Sequence, residues 1–192
     1  MRRSLYRRKR NVTQIPEIAL VGYTNAGKST FLNTLTTSEV TAKNQLFSTL
    51  DPVTRRIQLP GGTDALLTDT VGFIQKLPTT LIAAFKSTLD EILSASVLLH
   101  IVDITDPYAA EQADSVQALL IELGLVETPK VMALNKVDQL IDTANVEDII
   151  TDLSAPETPT HLVSAELGWG LEALLATIET ILSSNATKVH HP

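Results

Sequence analysis

Short apolar runs alternate along this chain with segments in which apolar residues recur every three or four positions. Runs that are apolar on both faces are typical of strands buried inside a parallel sheet. These runs lie at residues 18–21, 97–103, 130–135 and 160–164. The periodic segments predict amphipathic helices. These segments lie at residues 30–35, 79–93, 109–123, 145–153 and 171–182.

Two further strands are predicted at residues 53–59 and 64–68, on either side of the turn 60–62. A turn of this kind between two strands predicts an antiparallel hairpin. The remaining strands alternate with helices, which predicts parallel pairing with helices on both faces of the sheet. We therefore expect a three-layer α/β fold, with a mostly parallel six-stranded sheet and one antiparallel strand at its edge.

Composition agrees with a compact α/β domain that can bury a substantial core. Hydrophobic residues make up 44% of the 192 positions and charged residues 19%. There is no cysteine, so neither disulfides nor thiolate metal sites are expected. No apolar run approaches the length of a membrane span, and the basic N-terminus lacks the apolar segment of a secretory signal. We expect a cytoplasmic protein.

Charge is distributed unevenly between the N-terminus and the rest of the chain. The first ten residues carry six arginines or lysines and no acid, whereas the remainder carries nine basic and 22 acidic residues. An acidic body disfavours general nucleic-acid binding, although the basic arm can attract RNA phosphates. The alternative is that the arm is a solvated linker, and the sequence leaves both readings open.

The most informative motif lies between the first predicted strand and the first helix. The segment Gly22-Tyr23-Thr24-Asn25-Ala26-Gly27-Lys28-Ser29 fits the phosphate-loop pattern G-x-x-x-x-G-K-[ST] in its strand–loop–helix context. Its glycines let successive backbone N–H groups face an anion, and the helix N-terminus adds a partial positive charge. Lys28 supplies a charge for the outer phosphates, and Ser29 a hydroxyl for Mg²⁺.

Residues at the ends of the hairpin strands can complete a magnesium and γ-phosphate site. Asp69, which opens Asp69-Thr70-Val71-Gly72, can hold Mg²⁺ through water opposite Ser29. Gly72 lets its backbone N–H approach a γ-phosphate. Thr49 lies in the aperiodic loop 37–52 and is either a further Mg²⁺ ligand or an ordinary loop threonine.

A second motif predicts which base is recognised. Within Asn135-Lys136-Val137-Asp138, the Asp138 carboxylate can accept from guanine N1–H and N2–H, which adenine does not offer. Asn135 can brace the phosphate loop, and the stem of Lys136 can cover the base plane. Ser164-Ala165-Glu166 follows the last strand and can place the Ala165 amide at guanine O6. Three elements in this order predict a GTP site.

These motifs resemble the GTPase domain of HflX, a ribosome-associated family of translation-factor-type GTPases. Besides the phosphate loop, the resemblance rests on Leu46–Pro52 with Arg55-Arg56, on Asp69–Ile74 and on Ala84–Glu91. It covers about residues 15–182 and implies a Ras-like P-loop NTPase fold with GTP hydrolysis coupled to the ribosome, mainly its large subunit. Ribosome splitting or rescue under stress is the implied role.

The resemblance and the motifs together give the expected site residues. Catalytic roles are expected for Asn25, Lys28, Thr49 and Gly72, and metal contacts for Ser29, Thr49 and Asp69. Nucleotide contacts are expected from Gly22, Tyr23, Thr24, Asn25, Ala26, Gly27, Lys28, Ser29, Thr30, Phe47, Ser48, Thr49, Leu50, Asp51, Asp69, Thr70, Val71, Gly72, Asn135, Lys136, Val137, Asp138, Ser164, Ala165 and Glu166.

The family usually carries a sizeable N-terminal domain, which a helical linker joins to the GTPase domain. Residues 1–14 resemble the end of that linker. We expect a GTPase domain at 15–184, a C-terminal tail at 185–192, a monomeric state, and a ribosomal RNA contact if the basic arm binds RNA.

Phe73 occupies the position at which many related GTPases carry a water-orienting glutamine. Hydrolysis is therefore expected to depend on the ribosome or on K⁺ held by Asn25, a residue that is alternatively a turn former.

Two other functions remain open from the sequence. The chain could be a GTP-gated binding module with negligible hydrolysis of its own, which the Phe73 position allows. It could also be a related GTPase of ribosome assembly or RNA modification.

Overall fold

The computed structural model describes residues 15–36, 53–70, 92–140 and 158–188, with side chains as far as residue 185. These residues form one sheet with helices packed on both of its faces. The strands are β1 (Glu17–Gly22), β2 (Val53–Gln58), β3 (Asp64–Asp69), β4 (Val97–Asp103), β5 (Lys130–Asn135) and β6 (Thr160–Leu162). The helices are α1 (Lys28–Leu35), α2 (Ala109–Glu122) and α3 (Leu171–Lys188), with a short 3₁₀ turn at Val137–Gln139.

The sheet has six strands in the order β2-β3-β1-β4-β5-β6. All neighbouring pairs are parallel except β2 and β3, which form the predicted hairpin and place an antiparallel strand at one edge. The predicted fold class is therefore confirmed. Because β1 and β4 are central, the loop after β1 lies at the middle of the carboxyl edge, where ligands bind in such sheets.

The core lies on both faces of β1 and β4, because their side chains alternate between the faces and are almost all buried. On one face, Leu20 and Leu99 pack in a cluster with Phe31 of α1 and Ile178 of α3. On the other face, Val21 packs with residues of α2, and the buried His100 lies in the same strand layer. Burial lowers the pKa of the His100 imidazole to about 4, so it is neutral at physiological pH.

The predicted ends of the last strand and of the last helix are wrong. Strand β6 ends at Leu162 rather than at residue 164, because Ser164 turns away to pair with Trp169. Helix α3 ends at Lys188 rather than at residue 182. Its polar last turns contain no glycine or proline, and hydroxyls such as that of Ser184 bond back to the carbonyl four residues earlier.

The predicted domain boundary at 184 therefore falls inside α3, while the domain division itself stays a prediction. The predicted helices at 79–93 and 145–153 lie mostly or wholly outside the described residues. No helix among the described residues is long and apolar enough to cross a bilayer.

The hairpin turn is attached to α3 by one carboxylate. Glu179 accepts the backbone N–H of Gly61 at 2.6 Å and that of Thr63 at 3.3 Å. Hydrogen bonds from Thr63 and Gly61 lower the pKa of this carboxyl, so the contact is present at neutral pH. This contact fixes the turn end of the hairpin. Asp69, at the opposite end of β3, lies beside the phosphate loop.

Candidate nucleotide-binding site

The loop between β1 and α1 is shaped by backbone conformations that few residues adopt. Gly27 has φ 102° and Asn25 has φ 62°, both in the left-handed region. Gly22 lies against β4, where an added Cβ would come within 2.4 Å of the Ile101 carbonyl oxygen. Asparagine tolerates left-handed backbone better than most residues, so the structure gives Asn25 the turn-forming role that the sequence left open.

Lys28 folds back over this loop at the first position of α1. Its Nζ donates to the carbonyl oxygens of Gly22 at 3.1 Å and Tyr23 at 2.8 Å. The side chain is buried, and this burial lowers the pKa of the ammonium group to about 8, against an opposing attraction from Asp69. A desolvated cation at a helix N-terminus is well suited to phosphate oxygens, which would give it partners of opposite charge.

Ser29 and Asp69 come together beside Lys28. The Ser29 hydroxyl donates to Asp69 Oδ2 at 2.7 Å, and Asp69 is buried at the end of β3. A hydroxyl and a carboxylate are the hard oxygen ligands that Mg²⁺ prefers, so these residues fit the predicted ion. The described residues contain no cluster of three or more histidine, cysteine or acidic side chains that could hold a metal. Further ligands for a Mg²⁺ here would come from water, from phosphate oxygens and from Thr49, whose predicted metal contact lies outside the described residues.

One side chain joins the phosphate loop to the predicted base-binding segments. The buried amide of Asn135 donates from Nδ2 to the Ala26 carbonyl at 2.8 Å and accepts the Ala165 N–H on Oδ1 at 2.9 Å. A Cβ at Gly27 would lie 2.3 Å from Asn135 Nδ2, so only glycine leaves room for this bridge. The Ala165 amide predicted for guanine O6 is thus bonded to Asn135 in this structure. Its contact with guanine stays a prediction.

The residues after Asn135 form a tight turn at the edge of the sheet. Lys136 has left-handed backbone, with φ 70°, and leads into the 3₁₀ turn Val137–Gln139. Its ammonium pairs with Asp103 Oδ2 at 2.5 Å. The Lys136 and Asp138 side chains line one small cavity together with Gly27, Thr30, Asn135, Gln139, Ala165 and Glu166.

The structure thus brings together the predicted phosphate-binding residues, Asp69 and the base-binding segments. Thr70 follows β3, and its hydroxyl bonds to the Leu20 carbonyl. The predicted site residues 47–51, Val71 and Gly72 lie outside the described residues, as does Phe73. The assignment of individual residues to nucleotide, metal or catalysis stays a prediction.

Sequence reasoning missed three residues of this region. Asp103 pairs with Lys136, whereas Asp106 accepts the Tyr108 N–H at 2.8 Å at the start of α2. Gln139 lines the cavity, and Thr34 bonds from α1 to the Ala165 carbonyl at 2.6 Å. The register of β4 and β5 places Asp103 beside Asn135, so knowledge of this register could have predicted the contact between Asp103 and Lys136.

Comparison with known proteins decides the family. A family model described as "50S ribosome-binding GTPase" matches residues 17–136, which include the phosphate loop and most of the sheet. The chain belongs to this family. GTPase HflX of Caldanaerobacter subterraneus subsp. tengcongensis is 45% identical over 92% of this chain, and GTPase HflX of Escherichia coli is 40% identical over 95%. The predicted resemblance to HflX is thereby confirmed, and both the family description and the names of these relatives are those of GTPases.

The chain spans about two fifths of the curated relatives that it matches, 39% and 42% for these two. Among solved structures, a GTP-binding protein from Sulfolobus solfataricus in complex with GDP superposes with a TM-score of 0.69. That protein is 28% identical, and the match covers 94% of this chain and 57% of the other. Era of Aquifex aeolicus superposes with a TM-score of 0.72 at 23% identity, over 89% of this chain and 57% of the other, which supports the fold alone.

The buried ammonium of Lys28 leads to a prediction for the nucleotide-free protein. Its pKa is lowered to about 8 in the folded state, so between pH 8 and 10.5 the unfolded chain holds a proton that the folded chain has released. The free energy of unfolding should therefore rise with pH in this window, by roughly 2 kcal/mol between pH 7.5 and 9.5 from this group.

Urea unfolding at several pH values, compared between the unmodified protein and Lys28→Met, isolates this contribution. The difference in unfolding free energy between the two proteins should move in favour of the unmodified protein as the pH rises. A difference that stays constant from pH 7.5 to 9.5 would mean that Lys28 titrates normally.

Proposed function

We propose that this chain is a GTP-binding and GTP-hydrolysing switch domain that associates with ribosomes, mainly the large subunit, and serves an HflX-like role in ribosome splitting or rescue under stress. The observation that carries the proposal is the Asn135 bridge, which holds the phosphate loop and the base-binding segments at one edge of the sheet. The family description and the HflX relatives support the ribosome as partner.

In the proposed mechanism, Lys28 and the N–H groups at the start of α1 bind and orient the phosphates. Ser29 and Asp69, whose hydroxyl and Oδ2 oxygens lie 2.7 Å apart, would hold Mg²⁺, Asp69 through water. Mg²⁺, when bound, neutralises charge on the phosphates. Thr49 and Gly72 are proposed to close on the γ-phosphate, so that the loops that contain them order with triphosphate and relax after hydrolysis.

Selectivity for guanine is proposed to come from the turn after β5. Asp138 would accept from guanine N1–H and N2–H, and Lys136 would cover the base with its aliphatic stem. A site with paired donors and acceptors rejects a base that lacks them, because its buried polar groups are then left without partners.

The remaining expectations are proposals of the same kind. The basic arm, residues 1–14, is proposed to contact ribosomal RNA, because its charge is opposite to that of phosphate. K⁺ is proposed as a second cation at Asn25, whose backbone already forms the turn that carries its side chain. A monomeric state and a cytoplasmic location stay predictions.

A second candidate function is a GTP-gated binding module with negligible hydrolysis of its own. The observation that favours it is Phe73, because a phenyl ring neither donates nor accepts the hydrogen bond that orients the attacking water. Single-turnover hydrolysis of bound GTP with and without ribosomes separates the two. A rate increase with large subunits supports the switch, whereas binding to ribosomes without any increase supports the module.

Guanine selectivity can be tested at Asp138. The unmodified protein should bind GTP far more tightly than ATP, and Asp138→Asn should shift the preference toward xanthosine triphosphate. The reason is that the amide places a donor opposite the exocyclic N2 amino group of guanine, which also donates, whereas xanthine has an accepting carbonyl oxygen at that position. Gln139→Asn, which changes the neighbouring cavity residue, is the control and should keep the preference for GTP. Fluorescence titration with the three nucleotides measures this, and equal affinities of the unmodified protein for GTP and ATP would contradict the proposal.

Activation by K⁺ can be tested at Asn25. Because its φ is 62°, alanine would strain the loop, whereas Asn25→Gly removes the side chain and keeps the backbone conformation. The unmodified protein should hydrolyse GTP on ribosomes faster in K⁺ than in Na⁺, and Asn25→Gly should lose that difference. Because removing a charge that stabilises phosphoryl transfer lowers the rate by about 10²–10³, the hydrolysis rate of Asn25→Gly in K⁺ should fall by up to this factor.

Turnover in Na⁺, which does not use the proposed K⁺ site, serves as the internal control for Asn25→Gly. Equal K⁺ stimulation in both proteins would leave Asn25 as a turn former only.

A further inference from the structure

Asp103, the last residue of β4, uses its two carboxylate oxygens for different partners. Oδ1 accepts the Thr105 N–H at 3.0 Å and the Thr105 hydroxyl at 2.6 Å. Oδ2 accepts from Lys136 Nζ at 2.5 Å. The two bonds from Thr105 fix the orientation of the carboxylate, so the oxygen facing Lys136 is held in one place.

The strand register explains why these residues meet. Asp103 pairs with Asn135 at the carboxyl ends of β4 and β5, and Ile104 N–H donates to the Asn135 carbonyl at 3.2 Å. Lys136 is therefore the first residue beyond the paired strands, and its left-handed backbone redirects the chain there. The Lys136 side chain runs toward β4, and Lys136 also lines the small cavity that it shares with Asp138.

We propose that Asp103 is a positioning residue for the guanine base, which acts by holding the side chain of Lys136 in place before nucleotide binds. This inference rests on the proposed function, because it assumes that the cavity beside Lys136 receives guanine. A free lysine side chain loses considerable rotamer freedom when a ligand orders it. The ion pair orders it beforehand, so binding keeps more of the contact energy between the stem and the base.

The pair is partly shielded from water, which gives it more effect than a surface ion pair. The side chains of Asp103 and Lys136 are 13% and 28% exposed. An exposed pair contributes little because water screens it and the side chains stay mobile. Here the carboxylate is anchored at its other oxygen, so only the lysine has to be ordered.

A second aspartate in the same loop provides a matched control. Asp106 is three residues away and is likewise partly buried, but its oxygens accept from the Tyr108 N–H and from Gln112 Nε2, both at 2.8 Å. It therefore supports the start of α2, and the structure gives it no contact with Lys136.

The test compares GDP binding and release in Asp103→Asn, Asp106→Asn and the unmodified protein. Asp103→Asn should raise the Kd for GDP about tenfold, equivalent to about 1.4 kcal/mol, mainly through faster dissociation. Asp106→Asn should change it less than twofold. The single-turnover rate of prebound GTP should stay within twofold in Asp103→Asn, because the ion pair is at the base and not at the phosphates. A Kd within twofold of the unmodified value for Asp103→Asn would overturn the proposal.

A double-mutant cycle tests whether Asp103 acts through Lys136. Lys136→Met keeps an unbranched stem but removes the charge, so Asp103→Asn should weaken GDP binding tenfold with Lys136 present and less than twofold in the Lys136→Met background. An equal loss in both backgrounds would show that Asp103 acts by another route, and the proposal would be wrong.

If circular dichroism shows that Asp103→Asn does not fold, Thr105→Val decides instead. Valine removes the hydroxyl that anchors the carboxylate and leaves the ion pair possible, so the Kd for GDP should rise two- to fivefold, and an unchanged Kd would overturn the proposal. Failure of the proposed function is distinguishable from all of these outcomes, because in that case the unmodified protein itself would not bind GDP.

Discussion

The candidate site depends on one buried side-chain amide. Asn135 bonds both to the phosphate loop, at Ala26, and to the segment after β6, at Ala165. An amide is suited to this position because it donates at one atom and accepts at the other, whereas a carboxylate or an apolar side chain does only one or neither. Because the bridge is buried, breaking it leaves polar backbone groups without partners, which costs more than an exposed hydrogen bond.

Other features of the region follow from the bridge and from the sheet. Gly27 has to be glycine because the amide of Asn135 fills the space of a side chain. Parallel strands β1, β4 and β5 bring their carboxyl ends to one edge of the sheet, so Asp103 and Asn135 pair there although they are far apart in the chain, and the phosphate loop begins at the same edge. The same convergence buries a lysine ammonium, which lowers its pKa and costs stability. Such local costs are typical of sites that are prepared for a charged ligand.

The sequence predicted well whatever depends on neighbouring residues. The fold class and the hairpin follow from apolar periodicity and from turn residues, which are local signals, whereas phosphate binding by the loop after β1 stays a prediction. The partner of Asp103 could not be predicted in this way, because it depends on the register of β4 and β5. The end of α3 was also missed, because helix propensity falls gradually there and no glycine or proline marks the boundary. The loop around Thr49 lies outside the described residues, so its predicted metal contact is still untested.

The most direct test of this account is amide hydrogen exchange of nucleotide-free Asn135→Ala. If Asn135 holds both segments, exchange should become faster at residues 22–29 and at residues 164–166 together, while the β2–β3 hairpin, which does not contact Asn135, keeps the exchange rates of the unmodified protein. Faster exchange in only one of the two segments, or in neither, would contradict the claim that this amide connects the loop after β1, which is predicted to bind phosphate, with the segment after β6, which is predicted to bind the base.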